Sequence, residues 1–584
     1  MITQLRRNVK LGLSIMKGIE GSLAEAGIGL MALQQRLLLE KRWLLPLALV
    51  GLAGYAVFLR CAHLFNSGYY YIVSMDSYFF NWLASRVMAG QVPPADAPSG
   101  AVYTLHSGLA YPVAYLAKGL VYVFNLSSAD AIEFVSKSLP PTLGLISMVV
   151  IYWVATKIYD RRVGLFSAFA WALMLFALSV TSAGYLDRDG LSMMLIMVAA
   201  FIFFLSDGWH LKVGNRDVGW MIGGLGVLLL EGLIYLEWTW SGAVLLLVIL
   251  IVYFAVAVLR GYFDLRRSVT GRVQTLKAVL NQLNWRTFSL IILGNIILAA
   301  VFSNQVGSWF SMSIDILRGG SSAGILEAQG LSLADLFSFA FFLIPIGAAL
   351  YLTWTKKSKA NIFFSCWFLS LLVLSIFSRR VLVYTTPAAC VLSGVGLVYI
   401  WDWGMKRGTR LLKKVGVVAL LGLLVFFFSV ASFAVGASTT MSPDKDWQDA
   451  LAYLREQTPR NSVVMSQWSW GYWILDLGQR RPLVDNGYYN YDSTKLRDIG
   501  IAYTTNDPAE AAQAIEKYSA SYLVFSEQDL DIAPGIMKWA GLNEGQDSFP
   551  EDSLVVRSLN GEFESGGGLK VVFRNPEVVI LGLN

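Results

Sequence analysis

The sequence predicts a polytopic α-helical membrane protein with a water-soluble C-terminal domain, and three observations support this fold class. First, 55% of the 584 residues are hydrophobic and only 15% are charged, whereas a soluble globular protein carries about 25% charged residues. Second, long apolar runs recur up to about residue 437. Third, Pro, Asp, Asn and Gln return beyond residue 440. This composition excludes a disordered chain, an ordinary cytosolic enzyme and a nucleic-acid-binding arm, so no nucleic-acid partner is expected.

The apolar runs predict the transmembrane helices. A helix needs about 20 apolar residues to cross the hydrocarbon core of a bilayer. Eleven runs of roughly this length lie at about 43–60, 139–158, 163–183, 190–206, 219–236, 241–259, 287–304, 334–354, 361–378, 382–400 and 415–437. Residues 10–40 precede them and are expected to form an amphipathic helix near the membrane.

The basic residues predict the orientation of these helices. Lys and Arg collect in alternate loops, and the loop 260–286 alone holds six of them against one acid. Basic residues in short loops stay in the cytoplasm. We therefore expect a multi-pass protein of the cell membrane, surrounded by membrane lipids, with a cytoplasmic N-terminus and an external C-terminal domain.

The chain divides into two predicted domains, 1–438 in the membrane and 439–584 outside it. The membrane domain has a long outer loop at 61–138, with helical patches near 78–89 and 109–124, and a flexible outer loop at 305–333, rich in Gly and Ser. In the C-terminal domain, alternating strands near Ser521–Ser526 and Leu569–Leu581 predict a mixed α/β fold.

Four carboxylates are predicted to meet on the outer face of the membrane. Asp76 lies in the first outer loop, Asp187 and Asp189 form an Asp-Arg-Asp triplet between two spans, and Glu327 lies in the flexible loop. Oxygen ligands suit Mg²⁺ or Mn²⁺, and such an ion can neutralise a departing phosphate. Taken singly, each acid also fits a solvated turn or loop.

Three charged residues in or beside the spans allow two interpretations each. Arg379 and Arg380 lie at the outer end of the ninth span. They either bind an anionic lipid headgroup or diphosphate, or extend from a helix end to the interface. Glu231, inside the fifth span, is either a polar contact between helices or part of a functional path.

The order of these features resembles the catalytic subunits of oligosaccharyltransferases, in particular the single-subunit archaeal and bacterial type. These are GT-C glycosyltransferases with 11–13 transmembrane helices, and they transfer a lipid-linked oligosaccharide to the Asn of an Asn-X-Ser/Thr sequon. The family's Asp in the first outer loop matches Asp76, and its D-x-D motif matches Asp187 and Asp189. Its outer-loop motif ending in Glu matches Glu327, and its Arg followed four residues later by Tyr matches Arg380 and Tyr384.

The C-terminal domain carries the family's acceptor-binding motifs in altered form. The W-W-D-Y-G motif is matched by Gln467, Trp468, Ser469, Trp470 and Gly471, so its Asp is replaced by Ser. A second motif, an Asp and a Lys on a helix, is matched by Asp531 and Lys538, although Pro534 between them is expected to break an ordinary helix.

The resemblance implies a mechanism and its participants. The donor is a polyprenyl or dolichyl phosphate or diphosphate oligosaccharide, with its phosphate near Arg380, Arg379 and Tyr384. The acceptor is a polypeptide. A Mn²⁺ or Mg²⁺ ion is held by the four carboxylates, of which Asp76 and Glu327 are also catalytic because they activate the acceptor carboxamide. No partner subunit is required.

Other functions are less well supported by the sequence. Ser469 favours a GT-C glycosyltransferase that uses a lipid, polymer or hydroxyl acceptor instead of the sequon. A transporter would need polar residues along the spans, where Glu231 alone qualifies. A non-catalytic relative would have lost the metal-binding carboxylates, and all four are present.

Overall fold

A computed structural model describes most of the chain. The described residues are 44–65, 72, 74–91, 108–209, 211–213, 216–236, 240–265, 272–283, 285–301, 333–356, 358–407, parts of 419–434, 442–486, 493–542 and 547–584.

The part of the described chain before residue 408 is almost entirely helical. Its helices are α1 (Leu44–Arg60), α2 (Met75–Met88), α3 (Ala110–Phe124), α4 (Ser128–Ile158), α5 (Arg161–Leu173), α6 (Leu175–Thr181), α7 (Arg188–Ser206), α8 (Gly219–Leu236), α9 (Trp240–Leu265), α10 (Arg272–Gln282), α11 (Trp285–Val301), α12 (Leu333–Lys356), α13 (Lys359–Leu374) and α14 (Val381–Arg407). A two-stranded ribbon, β1 (Lys212–Val213) with β2 (Arg216–Asp217), separates α7 from α8. Described positions between 419 and 434 are also helical, where the eleventh apolar run lies.

The helices confirm that the N-terminal part is a membrane bundle. Within the described residues, four helical segments are each long and apolar enough to cross a bilayer: Ser128–Ile158, Arg188–Ser206, Val244–Leu265 and Val381–Met405. Counting each of two bent helix pairs as one span brings this to six, and further apolar helices are shorter. The helical patches predicted in the first long loop are confirmed as α2 and α3.

One predicted span is broken. The run 163–183 forms two helices, α5 and α6, bent by 61° where Met174 takes an extended backbone conformation with φ −68° and ψ 119°. The bend changes the direction of α6 just before the turn that carries Asp187. The position of that turn therefore depends on a local break within an apolar segment.

The C-terminal part is a mixed α/β domain, as predicted. Its elements are α15 (Lys445–Gln457), β3 (Val463–Met465), a 3-10 turn at Trp468–Trp470, α16 (Gly471–Asp476), β4 (Arg481–Pro482), α17 (Ser493–Thr504), α18 (Pro508–Lys517), β5 (Tyr522–Ser526), a 3-10 helix at Glu527–Ile532, α19 (Ala533–Ala540), α20 (Leu554–Leu559), β6 (Ser565–Gly566), β7 (Leu569–Arg574) and β8 (Val578–Leu583). The sheet order is β4-β3-β5-β8-β7-β6, with β4, β3 and β5 parallel and the other pairs antiparallel. The alternating stretch from Leu569 onwards is thus a hairpin of β7 and β8.

The two parts share an aromatic core. Phe79 of α2 stacks on Tyr472 of α16 with ring centroids 4.9 Å apart, and Tyr78 meets Trp473 edge-on at 6.4 Å. These side chains belong to one buried cluster that also contains residues of α3, the start of α4 and α15. Aromatic pairs of this geometry contribute about 0.5–1.5 kcal/mol each beyond their buried area, so α2 is fixed against the C-terminal domain.

Candidate active site

The Asp-Arg-Asp triplet lies in the turn between α6 and α7, at one end of the helix bundle. Gly184 in this turn has φ +77°, a left-handed conformation that glycine adopts at little cost. Asp187 is the N-cap residue of α7, and its carboxylate accepts a 2.6 Å hydrogen bond from the N–H of Arg188. Asp187 and Asp189 are each only 6% exposed.

The first turn of α2 lies against this Asp-Arg-Asp turn. The hydroxyl of Ser77 is 3.1 Å from the carbonyl oxygens of both Gly184 and Leu186, to which it can donate. Asp76 precedes Ser77 and is close enough for its negative charge to act on Asp187. The structure therefore brings together three carboxylates from two separate segments.

The start of α14 supplies a cation and a phenol to the same place. The Nε atom of Arg380 donates to Asp189 at 2.9 Å, and its Nη2 atom is 3.9 Å from Asp187. The Tyr384 hydroxyl donates to the other oxygen of Asp189 at 3.1 Å, and the indole of Trp367 fixes the Tyr384 carbonyl at 3.0 Å. Arg379, the neighbouring residue, is exposed. Arg380 thus contacts both carboxylates of the triplet.

The electrostatics of this cluster favour a cation. Burial, together with the negative charges of Asp189 and Asp76, raises the pKa of Asp187 to about 8, and the positive charges of Arg380 and Arg188 offset this only in part. A proton on Asp187 relieves the cost of burying this carboxylate beside two others, and a cation at the site would relieve the same cost. Oxygen donors with excess negative charge fit a hard divalent ion, so the residues present are compatible with bound Mn²⁺ or Mg²⁺. Glu327, the fourth predicted ligand, lies outside the described residues.

The Gln467–Gly471 segment opens α16 in the C-terminal domain. The side-chain oxygen of Gln467 accepts a 2.7 Å hydrogen bond from the N–H of Ser469 and so begins the 3-10 turn. Trp468 packs against Trp539 of α19 with ring centroids 4.3 Å apart. Ser469 is half-buried and Trp470 is buried.

This segment and the carboxylates are joined by the irregular segment that follows β4. A Cβ atom on Gly471 would lie 2.4 Å from the Val484 carbonyl oxygen and 2.5 Å from the Cα atom of Asp485, so only glycine fits here. One residue further on, the side-chain amide of Asn486 donates to Asp76 at 3.3 Å. Residues 484–486 therefore contact both the altered motif and the carboxylate cluster. Asn486 was missed as a site residue, because it lies 410 positions from its partner.

The second predicted acceptor motif is divided between two helices. Asp531 is exposed in the 3-10 helix at Glu527–Ile532, and Lys538 is exposed on α19. Pro534 does not interrupt a helix, because it occupies the first turn of α19, where a missing N–H costs nothing. The acid that contacts the altered motif is Asp529, whose carboxylate accepts a 2.8 Å hydrogen bond from the Trp470 indole.

The comparisons with known proteins agree with this geometry. No protein-family model matches the chain. Dolichyl-phosphooligosaccharide-protein glycotransferase 1 of Pyrococcus furiosus is 24% identical over 601 residues, covering 89% of this chain. The protein of the same name from Pyrococcus horikoshii is 22% identical over 91% of this chain. The chain spans 59% of the length of each of these curated relatives.

Solved structures share the fold. The archaeal oligosaccharyltransferase AglB from Archaeoglobus fulgidus, in complex with an inhibitory peptide and a dolichol-phosphate, matches with a TM-score of 0.71 at 15% identity, over 92% of this chain and 80% of that one. The Archaeoglobus fulgidus enzyme in complex with Zn and sulfate matches with a TM-score of 0.63 at 16% identity, over 88% of this chain and 71% of that one. The chain therefore has the GT-C fold of membrane oligosaccharyltransferases. Over most of its length it is homologous to the archaeal oligosaccharyltransferases, which confirms the resemblance seen in its sequence.

Proposed function

We propose that this protein transfers an oligosaccharide from a polyprenyl or dolichyl phosphate or diphosphate to the Asn of an Asn-X-Ser/Thr sequon. The observation that carries the proposal is the cluster of Asp76, Asp187, Asp189, Arg380 and Tyr384 at the end of the bundle that faces the C-terminal domain. The relatives named above, which are glycotransferases acting on proteins, support the same activity.

The donor phosphate is proposed to bind beside Arg380. Asp189 holds its guanidinium in place through the Nε atom, guanidinium groups bind phosphate oxygens through charge-assisted hydrogen bonds, and exposed Arg379 adds positive charge nearby. Asp76, Asp187, Asp189 and Glu327 would hold Mn²⁺ or Mg²⁺, whose chemistry is to neutralise charge on the leaving phosphate.

The acceptor carboxamide is proposed to bind at Asp76. An amide nitrogen is a poor nucleophile because its lone pair is delocalised into the carbonyl group, and a hydrogen bond from the nitrogen to the Asp76 carboxylate, with a second to Glu327, opposes that delocalisation. The nitrogen then bonds to the anomeric carbon of the sugar as the bond from that carbon to the phosphate oxygen breaks. The electron pair leaves with the phosphate, and the proton passes from the nitrogen to the carboxylate.

The Gln467–Gly471 segment, with Asp531 and Lys538 beyond it, is proposed to bind the sequon. Ser469 offers the hydroxyl of the sequon a neutral partner where the family has an Asp, and hydrogen bonds to charged groups are about twice as strong as neutral ones. Acceptor recognition is therefore expected to be weak. Ser469 is also the observation that favours a GT-C enzyme with a lipid, polymer or hydroxyl acceptor, although the protein-acting relatives favour the sequon.

The protein is further proposed to act as a single subunit in the cell membrane, with its C-terminal domain outside the cell. The placement of basic residues in alternate loops supports this orientation.

A transfer assay tests the proposal and distinguishes the acceptors. Purified protein in detergent, with Mn²⁺ and a lipid extract as donor, is offered a labelled Asn-X-Thr peptide, and the products are measured by mass spectrometry. We expect a glycopeptide from the wild type and none from Asp76→Ala. Ser469→Asp should lower the KM for the peptide about ten-fold, since one stronger hydrogen bond is worth about 1.4 kcal/mol.

The controls change one chemical group at a time, in the peptide or in the protein. A Gln-X-Thr peptide should give no product, and Ser469→Asn, which has the shape of the Asp variant without its charge, should not lower the KM. Glycosylation of a lipid or hydroxyl acceptor, with no glycopeptide from the wild type or from Ser469→Asp, would overturn the proposal.

A further inference from the structure

A large cavity lies between the C-terminal domain and the helices α2 and α4, on a different face of α2 from Asp76. Its volume is about 720 Å³, within the range of small-molecule sites. Residues at 78, 81–82, 85–86 and 89 line one wall, a helical spacing that runs along α2 away from the carboxylates. Because a helix rises 1.5 Å per residue, the wall extends along the helix axis from about 3 Å to about 20 Å beyond Asp76. We call this cavity the α2 groove.

The α2 groove is lined by guanidinium groups. Arg86 lies over the ring of Trp82 at 4.4 Å and donates to Gln91 at 3.3 Å. Its buried Nε atom has no hydrogen-bond partner among the described residues. Arg460 and Arg481 are exposed at the opposite wall. The groove thus presents positive charge from both sides.

Positive charge in the groove is not balanced by its acids. Burial lowers the pKa of Arg480, and the nearby positive charge of Arg460 lowers it further. Arg480 itself is bound to backbone carbonyl oxygens at 455, 458 and 479. Of the two acids in the lining, Glu133 pairs with Lys137 one turn along α4, and burial raises the pKa of Asp476 to about 7. At neutral pH much of the carboxylate charge in the groove is therefore neutralised or protonated.

The remaining lining groups suit a ligand rich in hydroxyl groups. Side-chain amides of Asn81, Gln91 and Gln479 line the groove beside the arginines. The aromatic side chains offer little apolar surface, because Tyr78 and Trp82 are only 2% and 8% exposed. Hydrogen-bonding groups and aliphatic side chains such as Ile132 and Leu477 therefore share the walls, a mixture that can contact both the hydroxyl groups and the C–H faces of a sugar.

From these features we propose that the α2 groove binds a carboxylate-bearing saccharide, and that this saccharide is the far end of the oligosaccharide being transferred. The second part rests on the proposed function. The α2 wall of the groove begins at Tyr78, two residues from Asp76 and on the other side of the helix. A glycan attached to a phosphate at the carboxylate cluster would therefore pass around the start of α2 to enter the groove. Guanidinium groups recognise carboxylates through paired, charge-assisted hydrogen bonds.

Two other occupants fit less well. A lipid chain is disfavoured because Ala129 and Glu133 of the lining precede the apolar stretch of α4 at residue 139 by six to ten residues, or roughly 9–15 Å. An acidic polypeptide would gain from an open strand edge, but the edge strand at the groove, β4, has two residues and one of them is Pro482, which cannot donate to a neighbouring strand.

Direct binding tests the proposal without any transfer reaction. Full-length protein in detergent is titrated with tetragalacturonate, and binding is followed by saturation-transfer NMR and calorimetry. We expect saturable binding that weakens in high salt, and no binding of the methyl ester of the same tetramer. Arg460→Gln and Arg86→Gln should each weaken binding at least about ten-fold, as expected for loss of a charge-assisted hydrogen bond.

Matched controls make each outcome decisive. Arg497→Gln removes an exposed arginine from α17 of the same domain, outside the groove lining, and should leave binding unchanged. Arg460 is exposed, so its variant is expected to fold even if Arg86→Gln does not. Equal binding of the ester and the acid, or binding insensitive to Arg460→Gln, would overturn the proposal. So would tighter binding of a hexaglutamate peptide than of tetragalacturonate, which would indicate a polypeptide ligand.

The test also separates this inference from the proposed function. Asp76→Ala should abolish glycopeptide formation and leave tetragalacturonate binding unchanged. Binding without any transfer by the wild type would leave the groove as a saccharide site and remove the proposed reaction. Transfer to the peptide without tetragalacturonate binding would support the proposed reaction and remove the saccharide site.

Discussion

At the scale of single residues, the altered acceptor motif depends on a buried acid, Asp529. Its carboxylate accepts hydrogen bonds from the indole of Trp470 and from the N–H of Ser526, both at 2.8 Å. Gln467 and Tyr503 contact it as well, yet burial outweighs these bonds and raises the pKa of Asp529 to about 7. The residue that organises the 3-10 turn of the motif is therefore partly protonated near neutral pH.

The raised pKa of Asp529 predicts a pH-dependent stability. The unfolded chain loses this proton near pH 3.9, while the folded chain keeps it up to about pH 7. Between these values the folded state binds more protons, so the free energy of unfolding decreases as the pH rises, by up to a few kcal/mol. Asp529→Asn should remove this contribution. Between about pH 3.9 and about pH 7, the stability of the wild type should therefore decrease relative to that of the variant as the pH rises. Thermal unfolding of the full-length protein, followed by tryptophan fluorescence from pH 4 to pH 8, measures it.

Asp531→Asn is the matched control, because it removes an exposed carboxylate two residues away. Its pH profile should follow that of the wild type. Parallel profiles for the wild type and Asp529→Asn would contradict the prediction.

At the scale of elements, the sequence predicted helix positions well and the contacts between elements poorly. Apolar length located the helices of the bundle, of which four described segments, or six when each bent pair counts as one, are long and apolar enough to cross a bilayer. The break at Met174 has no such signature, since the residues around it remain apolar and no Pro or Gly marks the bend. Asp529 and Asn486 were missed for a different reason, because their partners Trp470 and Asp76 are 59 and 410 positions away. Hydrophobic periodicity carries no information at that range.

Close packing of α14 predicts that Gly396 cannot be replaced. A Cβ atom there would lie 1.8 Å from the carbonyl oxygen of Pro345 on α12, and membrane helices use such small residues where backbones approach. Gly396→Ala must therefore push α14 away from α12. Because α14 begins beside Arg380 and carries Tyr384, we expect both a lower unfolding temperature in detergent and a loss of transfer activity.

Gly347→Ala on α12 is the matched control, because a Cβ atom at Gly347 meets no heavy atom within 4 Å. Alanine in an open helical position is stabilising or neutral. An unchanged unfolding temperature for Gly396→Ala would show that α12 and α14 do not approach as closely as described.

At the scale of the whole molecule, the bundle has two chemically different ends. At one end, Arg162 at the start of α5 pairs with Asp402 near the end of α14 at 2.8 Å, and Lys359 pairs with Asp207 at 3.2 Å. At the other end, the starts of α7 and α14 carry Asp189 and Arg380, beside the C-terminal domain. The 19 residues of α7 separate these ends by about 28 Å, which is close to the thickness of a hydrocarbon core. The ion pairs of Arg162 and Lys359 and the candidate active site thus lie at opposite ends of the helix bundle.

Cysteine labelling of sealed cells tests which of these ends faces outward. The background is low, because Cys366 and Cys390 are buried and Cys61 is only partly exposed. Glu551→Cys places an exposed thiol in the C-terminal domain, and Lys356→Cys places one at the end of α12, beside the basic end of the bundle. With basic loops retained in the cytoplasm, a membrane-impermeant maleimide should label Glu551→Cys in intact cells and Lys356→Cys only after the cells are opened. The reverse labelling pattern would place the carboxylate cluster on the cytoplasmic side and would refute the proposed orientation. The donor and the acceptor would then both have to bind from the cytoplasm.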